Sequence, residues 1–277
     1  MMKKRFLFNA AVLTGTSLVA RTIGIAFRVY MSNMIGAQGI GLYQLICAVY
    51  FFATTFATSG ITLIVTRLVT DSIARGEPGK AKYVTRQCLF ISLFLSVAAA
   101  ELLFIFSDAI GTHFLHDART VLSLRVLAPG LPFMAVSACF RGYFFARRTA
   151  IKTASEQLLE QVIEIAVFAC VVGVMAPMGL SYACCAVAIG TTAAEVLSCG
   201  YSYLLYRLDI RRLQGKRTRV AHFFRKALWI GIPVTLSSCL RSGLSTAENM
   251  LIPAGLKKNG ASYEKSLSDY GLITGMA

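Results

Sequence analysis

Arg21 and Arg28 stand seven residues apart in ARTIGIAFR (Ala20–Arg28), each among side chains that prefer hydrocarbon to water. A guanidinium stays charged and donates paired hydrogen bonds, so its natural chemistry is the capture of a phosphate or carboxylate. Arg241 and Glu248 repeat the seven-residue spacing later in the chain. Seven residues is nearly two helical turns, so each pair shares one helix face. The acids form a second set. Glu156, Glu160 and Glu164 recur every fourth residue and make an acidic stripe, whose first member reads as a helix cap. Glu195 lies deep in another apolar stretch. Ionisable groups in a bilayer are costly and face a bundle interior or an aqueous cavity. An anion-binding cavity and an Arg–Glu ion pair between helices are both open readings.

Little else in the sequence suggests reactivity. His113, His116 and Asp117 have ligand types but read as an ordinary loop. No G-x-x-x-x-G-K-[ST] loop and no Ser–His–Asp constellation occurs, and the eight cysteines include no C-x-x-C pair. The expectation is a non-enzyme with no metal and no cofactor.

The elements that must position these residues are set by hydropathy. The chain of 277 residues is 56% hydrophobic and 15% charged, with a mean hydropathy of +0.64. Apolar runs of roughly 20 residues recur, each long enough to cross a bilayer core of about 30 Å. No ten-residue alternation suggests a barrel. The fold class is therefore an all-α polytopic membrane protein. Spans are expected at 6–32, 40–70, 84–107, 120–146, 156–176, 179–206 and 226–253, with an eighth from Leu267. The basic start resembles a signal peptide, but Leu18 sits three residues before any cut after Ala20, so a retained span is expected.

The net charge of +15 would suit nucleic acid, yet its distribution speaks for topology. Lys and Arg crowd the N-terminus, the 75–86 loop, 147–152 and 207–226, and are sparse in the alternate loops. This is the positive-inside pattern: a cytoplasmic-membrane protein with its N-terminus in the cytoplasm, contacting anionic lipid and no nucleic acid. Arg21 then lies about 22 Å along the first span, past the midplane. Arg67 and Arg141 lie near span ends, where a long side chain reaches the interface. Pro129 and Pro132 in APGLP, and Pro233 in GIP, are hinge candidates because proline removes a helix hydrogen bond. Arg21 precedes Gly36 by fifteen positions and Arg241 precedes Gly255 by fourteen, which suggests that span 7 restarts the unit begun by span 1. The expected division is a six-helix lobe over 1–210, a basic loop over 211–225, and the start of a second lobe over 226–277.

Several segments carry a family resemblance. IGAQGIGLYQL (Ile35–Leu45), SGITLIVTRLV (Ser59–Val69), FRGYF (Phe140–Phe144), EQLLEQ (Glu156–Gln161), IPVTLSS (Ile232–Ser238) and YGLITGMA (Tyr270–Ala277) resemble stage V sporulation protein B and related polysaccharide-biosynthesis flippases. The resemblance implies two six-helix lobes around a central cavity, most of the second lying beyond this N-terminal portion. The chain is also similar to MurJ-type flippases, which implies that Arg21, with Arg28 one position out of register, engages a substrate pyrophosphate. Lys152, Glu164 and Glu248 depart from the residues usual in that family. The function so implied is translocation of a lipid-linked oligosaccharide or peptidoglycan-type precursor for cell-wall, polysaccharide or spore-cortex synthesis. Its partners would be that lipid pyrophosphate, membrane lipids, the remaining lobe and wall-synthesis proteins. Two other readings stand beside it: a cation-coupled drug or metabolite exporter, in which the acids matter more than the arginines, and a membrane scaffold without transport.

Overall fold

A computed structural model of the chain describes residues 2–211, 223–258 and 263–276. Every regular element among them is helical: α1 (Met2–Thr58), α2 (Ile61–Ala74), α3 (Pro78–Ile105), α4 (Ser107–Ala109), α5 (Thr120–Leu127), α6 (Gly130–Ala146), α7 (Ala150–Met175), α8 (Leu180–Arg211), α9 (Phe223–Lys258) and α10 (Tyr263–Met276). The reason is physical, since a bilayer offers no partner to a backbone N–H or C=O and the helix satisfies both internally. Most of the basic 211–225 loop lies outside the described residues.

The first membrane-grade stretch, Thr14–Ala74, has 61 residues, about three bilayer thicknesses of helix. It folds back at Gly36, whose φ of 71° and ψ of 171° break α1. Packing proves the reversal. Before Gly36 the chain runs along α7, with Ala20 bonded to Gln161 and Tyr30 against Phe168. After it the chain runs along α8, from Gly39 at Cys184 to Tyr50 at Glu195. The two partners are antiparallel, since Ser155 meets Tyr201 and Glu164 meets Thr191. Counting this reversal and taking the bent α5–α6 pair as one span, the described helices supply seven stretches long and apolar enough to cross a bilayer, where the apolar runs place them, and α10 lies where the eighth is expected.

Four local expectations change. The second span is interrupted between α1 and α2 at Gly60, which has a φ of 81°. The interruption is held from outside, where the Thr235 hydroxyl donates to the Ser59 carbonyl. Glu156 is no cap, because α7 begins at Ala150 and Glu156 is fully buried within it. Pro233 sits inside a continuous α9, as does Gly255, so neither breaks that helix and the parallel between Gly36 and Gly255 does not extend to geometry. By contrast, the chain bends by 43° between α5 and α6, which puts Pro129 at a true break and Pro132 in the first turn after it.

Three buried clusters hold the bundle. Leu42, Ile46, Leu124, Leu127 and Leu131 pack with Leu267 and Tyr270 of α10. Val65, Val84, Phe140, Tyr143 and Phe144 form a second cluster, and Met31, Phe168, Val172 and Val187 a third. The outer surface carries exposed Phe94, Leu197 and Leu240, the pattern of a lipid-facing wall. At one end Asp209 accepts hydrogen bonds from Lys152, the Tyr143 hydroxyl and Arg147 at 2.7, 2.9 and 3.2 Å. This ties α6, α7 and α8 together and gives the unusual Lys152 a structural partner.

Candidate functional site: a polar cavity among α1, α6 and α7

An open cavity of about 520 Å³ is lined by Ser17, Ala20 and Arg21 of α1, Arg141 of α6, and Thr153, Gln157, Glu160, Gln161 and Glu164 of α7. Glu160 and Glu164 of the α7 stripe both face it because residues four apart share a helix face, while Glu156 is fully buried outside its lining. Gln161 fixes the approach of α1, its Nε2 donating to the Ala20 carbonyl at 2.9 Å. Gly24 permits that approach, since a Cβ there would lie 3.1 Å from the same nitrogen.

Charge within the cavity is unevenly committed. Arg141, 25% exposed, stands 3.7 Å from the fully buried Glu156 and 3.8 Å from Glu160. Glu164 accepts a hydrogen bond from the Thr191 hydroxyl of α8 at 2.8 Å. Arg21 has no ion-pair partner among the described residues, so its guanidinium is available to a ligand. Aromatic packing of Phe27 and Tyr30 on Phe168, at 5.4 and 5.8 Å between ring centroids, lies just beyond the cavity along α1.

The structure thus joins Arg21, Glu160 and Glu164 and separates the other candidates. Arg28 lies at the level of the aromatic group, while Arg241 and Glu248 are exposed on α9; none of the three lines the cavity. Glu195 is buried elsewhere, accepting a 2.6 Å hydrogen bond from the Tyr50 hydroxyl. Its other oxygen would be 2.0 Å from a Cβ at Gly130, so this carboxyl rests on the glycine that opens α6. Among the charged and amide side chains of the cavity, Arg141, Gln157 and Gln161 are those that the sequence did not single out as site residues. The FRGYF and EQLLEQ segments held them, but only the α6–α7 contact shows that Arg141 turns inward.

Solved structures of other proteins share the fold. The chain superposes on a MOP superfamily transporter from Pyrococcus furiosus with a TM-score of 0.63, at 15% identity, covering 84% of this chain and 51% of that one. It superposes on an inward-facing multidrug resistance MATE family transporter of the same superfamily with a TM-score of 0.60, at 16% identity, covering 89% and 60%. The chain belongs to the polysaccharide biosynthesis protein family, whose model matches residues 6–261. It is 29% identical to stage V sporulation protein B of Bacillus subtilis over all of this chain and 54% of that protein. It is 25% identical to lipid II flippase MurJ of the same organism over 59% of this chain and 32% of that protein. The chain spans about half the length of the first of these relatives. It is a multi-pass membrane protein.

Proposed function

We propose that the chain forms the N-terminal lobe of a flippase that carries a lipid-linked oligosaccharide or peptidoglycan-type precursor across the cytoplasmic membrane, with its N-terminus inside. The carrying observation is the uncommitted Arg21 in a polar cavity within an apolar helical bundle. Arg21 is exposed to this open cavity, and a guanidinium that faces no acid within an apolar bundle is poised to take an anionic ligand. Arg21 would bind pyrophosphate, while Gln157, Gln161 and Glu160 offer the donors and acceptors that sugar hydroxyls need. Arg141 keeps Glu156 and Glu160 compatible with burial and so shapes the anion site. The lipid tail stays in the bilayer as the head group passes, and a second lobe would close over the cavity. The family membership and the likeness to stage V sporulation protein B and MurJ support wall-precursor or spore-related transport.

A cation-coupled exporter has one observation in its favour: Glu156 and Glu160 share Arg141, and Glu164 of the same stripe lines the cavity without an ion-pair partner among the described residues. Binding separates the readings. The chain in lipid nanodiscs is titrated with a lipid pyrophosphate carrying a sugar, then with a lipophilic dye cation. Preference for the pyrophosphate that disappears in Arg21→Ala supports the flippase. Dye binding that depends on Glu160 and ignores Arg21 overturns it.

A further inference from the structure

A second charged cavity lies away from the polar site and shares no residue with it. It has a volume of about 720 Å³ and opens between α2 and the first turns of α9. Its cations are Arg67, Arg75 and Lys226. Asp71 neutralises Arg75 at 3.2 Å, leaving Arg67 and Lys226 without an acid partner among the described residues. The remaining wall is largely apolar, with Leu63 and Leu68 on α2 and Trp229 and Ile230 on α9. Trp229 is 78% exposed. The cavity therefore offers two free cations beside aliphatic and indole surface.

Position sharpens this reading. Arg75 follows the last turn of α2 and Lys226 lies in the first turn of α9, so the cavity sits where both helices leave the hydrocarbon. Tryptophan favours that interfacial depth, and unpaired cations there attract anionic head groups. No Asn or Gln lines the cavity, in contrast to the site around Arg21, so recognition of a sugar is not built into it. We propose that this cleft seats an anionic phospholipid, its phosphate on Arg67 and Lys226 and its upper acyl chain against Leu63, Trp229 and Ile230. An occupant at this seam between α2 and α9 would bias the angle at which α9 docks on the first six spans.

The chain contains a single tryptophan, which makes Trp229 a reporter of its own cavity. The chain is reconstituted in mixed vesicles of phosphatidylglycerol and phosphatidylcholine, with bromine on the acyl chains of one lipid at a time. Quenching of Trp229 by the brominated phosphatidylglycerol is expected to exceed that by phosphatidylcholine at equal mole fraction. In the Arg67→Gln/Lys226→Gln variant the enrichment is expected to fall by about fivefold or more. Arg211→Gln, which removes a cation outside the cleft, is expected to keep it. Equal quenching by both lipids overturns the proposal, as does an enrichment that the double variant retains or that Arg211→Gln abolishes equally. Displacement of the phosphatidylglycerol by a sugar-bearing lipid pyrophosphate also overturns it, because the occupant would then be the transported substrate.

Discussion

At the scale of single residues, the question is which cations are free and which are spent on acids. Arg141 is spent, close to a fully buried Glu156 and a half-buried Glu160. Arg141→Gln leaves both carboxylates without their cation, and we expect a loss of about 3 kcal/mol, read as a lowered melting temperature in detergent. Adding Glu156→Gln should restore much of that loss, because the neutral amide no longer needs a counter-charge. Arg21 behaves in the opposite way. Arg21→Ala should leave the melting temperature nearly unchanged and weaken lipid-pyrophosphate binding by tenfold or more, the scale of one charge-assisted hydrogen-bonded pair at about 1.5–3 kcal/mol. Arg21→Lys should recover part of the affinity, since it keeps the charge but loses the fork.

The elements place these residues through close backbone approach. Gly41 of α1 and Gly271 of α10 lie where a Cβ would fall 2.1 Å from the carbonyl oxygens of Leu267 and Ala37. The two helices touch backbone to backbone, as small residues allow in membranes. Gly41→Val should push α10 off α1 and destabilise the chain by about 1–3 kcal/mol through overpacking. Gly15, which has nothing near its Cβ position, is the matched control, and Gly15→Val should move the melting temperature far less. The break between α5 and α6 belongs to this scale too. APGLP marked it in the sequence, because proline both ends and begins helices. GIP carried a similar signal around Pro233, yet α9 continues through it. The difference lies in tertiary contact: Gly130 receives the Glu195 carboxyl at the first break, whereas Pro233 is exposed.

For the whole molecule, hydropathy was sufficient to order the spans, since crossing a bilayer demands length and apolarity that are written locally. Reversals were partly legible: IGAQGIGLY announced the fold at Gly36, but the interruption at Gly60 depends on Thr235, far away in sequence. The site was legible where charge interrupts an apolar run: Arg21 was marked that way and the α7 stripe by its period. The depth past the midplane expected for Arg21 does not fit its level in the bundle, since it shares a cavity with Thr153, three residues into α7, and with Arg141 near the end of α6. Arg28 shared a face with Arg21, but one face extends beyond one cavity, and Phe27, Tyr30 and Phe168 occupy the next level. Arg141 was invisible because a cation near a span end looks interfacial until the neighbouring helix is known. Topology can be tested directly. In a cysteine-free background, Ala74→Cys should react with an impermeant thiol reagent only from the cytoplasmic side, and Ala118→Cys only from the opposite side.

The proposed role of the cavity around Arg21, as the seat of the pyrophosphate of a lipid-linked sugar, can be tested directly. A sugar-bearing lipid pyrophosphate with a photoreactive group next to the phosphates can be cross-linked to the chain in nanodiscs and mapped by peptide mass spectrometry. Labels are expected only at the cavity lining: on α1 between Ser17 and Arg21, on α6 at Arg141, and on α7 between Thr153 and Glu164. They are expected to disappear in an Arg21→Ala variant of unchanged melting temperature. Labels distributed along the lipid-facing surface, or labels at the cavity that persist without Arg21, would contradict that role.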